Sequence, residues 1–249
     1  MTQIYMKKLL SKLDWSYFYA FIGEATLALT FAFYIILARV LGPEDYGVFA
    51  AAVALAAVLS LFIQFGLTNL LLREVAANPE TGPRLTIQCL LVELISAGGV
   101  LLFLFPLASI LGYQDRELLV CYLAVLSEVG RAAIMTLRNV AKGEGWFRAE
   151  SIAVAIERAA VMLVACFVLY QTENLVLVML TVVAVRFLDA LGLFYFLNRK
   201  LDLWSPISGQ GLWKLTQAAY PFAMSGVLWI IYYQVDVVML NELSTEAET

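Results

Sequence analysis

Seven long apolar runs constrain this chain more than any other feature. They fall at approximately 16–41, 46–72, 85–112, 118–141, 150–170, 174–197 and 217–241. A bilayer core is about 30 Å thick, so about 20 mostly apolar residues cross it as a helix. Each run meets that length. Backbone amides in lipid must be satisfied internally, which leaves only helices or a closed barrel. Barrel strands alternate over segments of about 10 residues, and these runs do not alternate. The expected fold is an all-α integral membrane protein. Composition agrees, with 62% hydrophobic residues and 14% charged among 249.

The connectors are short and rich in turn formers. The first, in "ILARVLGPEDYGVFAAA", has Gly42 placed to adopt a left-handed conformation that ends one helix. Pro43 suits the start of the next. Glu44 and Asp45 then fall where a helix dipole favours acids, and Tyr46 suits the interface. The resulting organisation is a basic amphipathic segment over 1–15, six helices over 16–198, an interfacial linker over 199–216, a seventh span over 217–241 and a tail over 242–249. Trp204, Trp213 and Lys214 read as interfacial anchors before the seventh span.

Basic residues set the orientation. With a cytoplasmic N-terminus, that side holds Lys7, Lys8, Lys12, Arg73, Arg84, Arg138, Lys142, Arg148, Arg199, Lys200 and Lys214. The other side holds Arg39 and Arg116. The bias predicts an N-in chain.

Several chemistries are excluded or disfavoured. The chain has no histidine, which removes Ser-His-Asp and Cys-His catalysis and most zinc or haem sites. Cys89, Cys121 and Cys166 lie inside apolar runs and read as buried hydrophobes. Phosphate-binding glycine loops and nucleophile elbows are missing. An enzyme is not expected, nor is a metal, a cofactor or a nucleic-acid partner.

Nine ionisable residues lie within the spans: Glu24, Glu93, Glu128, Arg131, Glu157, Arg158, Arg186, Asp189 and Asp236. Exposing all of them to lipid would cost on the order of 20–30 kcal/mol. That exceeds the stability of a typical domain, about 5–15 kcal/mol, so most must face each other or a wet cavity. Glu128 and Arg131 are three apart and share a face, and Arg138 extends that stripe. Arg186 and Asp189 repeat the spacing. Glu157 and Arg158 are adjacent, so they need partners on different helices. One reading makes these groups static struts. The other makes them a polar cavity, with Arg131, Arg158 and Arg186 for an anionic or sugar-bearing substrate. Glu24, Glu128, Glu157, Asp189 and Asp236 would then serve ion coupling or charge pairing. Trp229 and Tyr233 would stack on sugars, or belong to packing and an interfacial belt. A stripe of Gly47, Ala51, Ala52, Ala56 and Ser60 reads as close helix packing.

The segments "ARVLGPEDYGVFA" and "FGLTNLLLREVA" together resemble the N-terminal half of polysaccharide flippases. Those belong to the multidrug/oligosaccharidyl-lipid/polysaccharide exporter superfamily and are related to multidrug and toxin extrusion transporters. The resemblance rests on Arg39, Leu41, Gly42, Tyr46, Gly47, Phe65, Gly66, Leu67, Arg73 and Glu74. "AYPFAMSGVLWIIYYQVDVVML" is similar to the family's seventh helix. The resemblance implies one lobe of a two-lobe transporter with a central cavity, and a chain that is a fragment or a truncated gene product. It implies translocation of an undecaprenyl-diphosphate-linked oligosaccharide across the bacterial inner membrane by alternating access. The implied partners are that substrate, membrane lipids and polysaccharide polymerase machinery. A cation-coupled drug exporter and a non-transporting truncated remnant are the alternatives. Three arginines within the spans speak against the first of these.

Overall fold

A computed structural model describes residues 26–204 and 209–243, without the side chains of residues 227 and 229–243. The 1–15 segment, Glu24 and the tail end at 244–249 lie outside the described residues, as do the side chains of Trp229, Tyr233 and Asp236. Among the described residues, the regular elements are all helical. They are α1 (Leu27–Gln64), α2 (Leu67–Ala77), a 3-10 turn (Pro79–Thr81), α3 (Gly82–Ile110), α4 (Asp115–Gly143), α5 (Phe147–Thr172), α6 (Leu175–Leu201) and α7 (Gly209–Leu243). Five of these helical stretches are long and apolar enough to cross a membrane.

α1 has 38 residues, which as a straight rod would reach about 57 Å, nearly two bilayer cores. It folds back instead. The rings of Tyr34 and Phe49 lie 5.7 Å apart, which 15 residues of straight helix cannot allow. The reversal occurs at Gly42, with φ 77° and ψ 178°. This corrects the expected left-handed cap: φ is positive, but ψ is extended, a region open essentially to glycine alone. α1 is thus two antiparallel limbs, 27–41 and 43–64, which cover the first two apolar runs. Asp45 does more than sit near a dipole. Arg116, at the start of α4, donates to both its oxygens at 2.8 Å. Arg39 and Gly47 are exposed, and nothing crowds a side chain built at Gly47.

The second run does not continue as one helix to residue 72. It breaks at Phe65 (φ 43°) and Gly66 (φ 71°), and α2 starts anew at Leu67. Gly66 is required twice. Its positive φ favours glycine, and a β-carbon there would stand 2.5 Å from the Ala223 amide nitrogen of α7. The two motif segments "FGL" and "PFA", far apart in sequence, therefore meet backbone to backbone. Arg73 of α2 also lies over the Phe222 ring, 5.3 Å from its centre.

α4 is the central helix. It packs against α1, α2, α3, α5 and α6. In its most apolar window 61% of residues are buried, against 17–33% in the other four spans. Those others expose large side chains such as Phe31, Leu102, Ile110, Leu163 and Leu188, as a lipid-facing surface requires. The apolar interior is in two parts. One gathers the α1 limbs with Ala97–Leu104, Val120–Ala132, Ala165–Leu169 and Leu175–Val182. The other gathers α2 with Cys89, Val92, Leu137–Ala141, Leu197 and Ala219. Glu93 on α3 and Arg186 and Asp189 on α6 fall at the seam between these two parts, and the charges of α4 lie on either side of it.

Candidate polar site between helices α1, α4 and α6

The seam holds two charge clusters, both anchored on α4. In the first, the carboxylate of Glu128 spans two guanidiniums. Arg131 Nε donates to its Oε2 at 2.6 Å, and Arg131 Nη2 lies 2.5 Å from the same oxygen. Arg186 Nη1, from α6, donates to its Oε1 at 3.2 Å. Arg186 Nη1 also donates to the Ser127 hydroxyl at 2.7 Å and to the Ser127 carbonyl at 3.1 Å. From the second limb of α1, Ser60 Oγ accepts from Arg131 Nη2 at 3.5 Å. Ser60 in turn donates to the Ala57 carbonyl, so its lone pairs face the arginine. Arg131 Nη1 rests 3.2 Å from Met135 Sδ. Tyr34 lies within electrostatic range of all three charges.

Two features keep this cluster open. Among the described residues two arginines face one carboxylate, an excess of one positive charge in their direct ion pairs. The Arg131 side chain is 31% exposed, and the buried Nε of Arg186 has no hydrogen-bond partner among the described residues. The close approach of α6 depends on Gly130, where a β-carbon would lie 3.1 Å from the Arg186 β-carbon.

The second cluster lies farther along α4, about 10 Å from Arg131 at 1.5 Å per residue. Arg138 donates to Glu150 Oε1 from Nε at 3.0 Å and from Nη2 at 2.6 Å. Its Nη1 lies 3.8 Å from Glu157, and Lys142 Nζ lies 3.3 Å from Glu150. Asp189 of α6 is the electrostatic neighbour of Glu157 and Arg138, and its buried Oδ2 has no hydrogen-bond partner among the described residues. On the α3 side, the Thr136 hydroxyl donates to Glu93 at 2.6 Å. The other oxygen of Glu93 has no partner among the described residues.

A family model described as "polysaccharide biosynthesis protein" matches residues 16–248. The chain belongs to that polysaccharide biosynthesis family. One relative is the succinoglycan biosynthesis transport protein ExoT of Rhizobium meliloti, 28% identical over 127 residues. That match takes in 49% of this chain and 26% of ExoT. The fold matches a MOP superfamily transporter of Pyrococcus furiosus with TM-score 0.64 and 16% identity, over 88% of this chain and 53% of that one. It also matches the crystal structure of a MATE mutant with TM-score 0.61 and 18% identity, over 88% of this chain and 54% of that one. The chain thus spans about half the length of these transporters. It is a multi-pass membrane protein with their helical fold.

In this member of the polysaccharide biosynthesis family, the residues singled out by sequence divide. Glu128 and Arg131 pair as their spacing requires. Arg186 joins them, although its own three-residue neighbour was Asp189; the two turn to different clusters. Glu157 and Arg158 point apart as adjacency demands, Glu157 to Arg138 and Arg158 to the Thr26 hydroxyl at 3.0 Å. Three contributors escaped sequence reading. Ser60 sat at the end of a small-residue stripe and read as packing. Ser127 carried no signal apart from its place beside Glu128. Glu150 lay at the edge of a span, and only its distance of 12 residues from Arg138 across a turn hid the pairing.

Proposed function

We propose that this chain forms part of a transporter that moves a lipid-linked oligosaccharide across the bacterial inner membrane by alternating access. The observation that carries this reading is the convergence of Arg131 and Arg186 on a single carboxylate, Glu128, at mid-bundle. A surplus guanidinium charge inside a membrane is costly unless an anion meets it. Guanidiniums match phosphate oxygens in fork geometry. An undecaprenyl-diphosphate headgroup supplies that chemistry, and a cationic drug does not. The succinoglycan transport function named for ExoT is consistent with it. The distribution of lysines and arginines supports a cytoplasmic N-terminus. The acids of the second cluster, Glu157 and Asp189, are assigned to ion coupling, while Arg158 is assigned to holding the start of α1.

The test is export in a strain whose surface glycan depends on the gene for this chain. Arg131→Ala and Arg186→Ala, each shown to reach the membrane, are expected to abolish surface glycan. Normal glycan in both strains would remove the proposed role.

A further inference from the structure

The two-arginine site already holds an anion of its own. Glu128 lies with one oxygen on each guanidinium, which is where phosphate oxygens would lie. We propose that Glu128 is a resident substitute for a phosphate or diphosphate group, and that the incoming group displaces it from Arg131 and Arg186. This rests on the reading of the site as the seat of an anionic headgroup.

Four observations carry it. First, Arg186 does not depend on Glu128 alone for its position. Arg186 is held more closely by the Ser127 hydroxyl, at 2.7 Å, than by Glu128, at 3.2 Å. Arg131 keeps Ser60 and Met135 as neighbours. Arg186 would therefore stay in place when the carboxylate leaves, and Arg131, freed from its closest partner, would be open to an incoming anion. Second, unused donor capacity remains, since Arg186 Nε has no partner among the described residues. Third, one carboxylate cannot neutralise two guanidiniums, whereas a diphosphate carries enough charge to do so. Fourth, the Arg131 side chain is 31% exposed, so a ligand can reach it.

The device has a functional consequence. A site for cargo must bind well enough to load and weakly enough to release. A tethered carboxylate competes with the cargo at every encounter and lowers its net affinity. When cargo departs, Glu128 returns to the arginines and prevents rebinding. Removing its charge would make the site stickier and turnover slower.

The experiment uses the purified chain in phosphatidylcholine nanodiscs, titrated calorimetrically with inorganic pyrophosphate. The native chain is expected to bind weakly and saturably. Glu128→Gln, which keeps the shape and removes the charge, is expected to bind at least about tenfold more tightly. Glu128→Asp, too short to reach both arginines, is expected to fall between them. Arg131→Ala and Arg186→Ala are expected to lose saturable binding. Equal or weaker binding by Glu128→Gln, with binding still lost in the arginine variants, overturns displacement and leaves the anion reading intact. Native-like binding in both arginine variants, or no saturable binding by the native chain, overturns the anion reading and this inference together. Should Glu128→Gln fail to fold, Glu128→Asp carries the test, and unchanged affinity there overturns displacement.

Two further arms separate the sources of the phosphate. Farnesyl diphosphate replaces pyrophosphate in one, and phosphatidylglycerol is added to the nanodiscs in the other. Tight farnesyl diphosphate binding, strengthened by Glu128→Gln, supports displacement by a prenyl diphosphate. Competition by phosphatidylglycerol, strengthened by the same change, supports displacement by a lipid headgroup.

Discussion

The two charge clusters on α4 lie about two turns apart and are built on opposite plans. Arg138, Lys142, Glu150 and Glu157 form a directly ion-paired set with two charges of each sign, and Asp189 stands beside it. The side chains of Arg138 and Glu150 are only 15% and 8% exposed. Arg131, Arg186 and Glu128 form an open set with surplus positive charge and donors to spare. Both answer the same demand, that a charge within a membrane meet a partner. The closed set answers it by direct pairing of Arg138 and Lys142 with the acids of α5, and so ties α4 to α5. The open set leaves one charge over, and that remainder is what gives it something to bind. Intramembrane charge alone therefore does not mark a ligand site; the ratio of bases to the acids they directly meet separates the strut from the seat.

The comparison can be broken most forcefully at Arg138. Arg138→Ala strips Glu150 and Glu157 of their shared guanidinium and leaves Lys142 alone against them. Breaking a buried pair in this way costs about 3–5 kcal/mol. A large fall in the thermal midpoint in detergent is expected, and native-like melting would show that the closed set is no strut. Gly130→Ala comes next. It forces a β-carbon to 3.1 Å from that of Arg186 and should cost about 1–3 kcal/mol by overpacking, with pyrophosphate affinity reduced. Gly192→Ala on α6, where nothing lies within 4 Å, is the control and should melt no lower than the native chain. Arg131→Ala should cost stability little, about 1 kcal/mol or less, because the side chain is partly exposed and Glu128 keeps Arg186. Its effect should appear in export instead, and a melting loss as large as that of Arg138→Ala would erase the distinction between the clusters. The smallest effect is expected at Arg116→Gln. That pair is exposed at the α1 turn, and such pairs contribute about 0–1 kcal/mol; export near the native level is the expected readout.

Much of the fold was legible because apolar length is a local property. Each run announces a helix whatever packs beside it. The breaks were less legible. Gly42 was visible as a turn, flanked as it is by Pro43, Glu44 and Asp45, though not in its actual backbone conformation. The break at Phe65 and Gly66 was hidden, since Leu67, Leu70, Leu71 and Leu72 resume the apolar character on its far side. What requires it is the α7 backbone pressed against Gly66, a contact from more than 150 residues away. The site was half legible. Glu128 and Arg131 meet because side chains three apart on a helix lie on one face. The same rule applied to Arg186 and Asp189 yields no pair, because a hydroxyl and a carboxylate on α4 hold the arginine elsewhere.

The sequence by itself determined that this chain is a set of membrane helices, roughly where they start and stop, and that their charges need company. Transfer of apolar groups from water is additive along the chain and non-directional, so it can be summed without knowing the fold. Which charge meets which was decided only by tertiary structure. Ion pairs depend on the rotation of each helix about its axis and on its neighbours. Arg186 reaches Glu128 across 58 residues and Arg131 reaches Ser60 across 71. Packing alone brought two arginines to one acid among the described residues at the heart of the bundle.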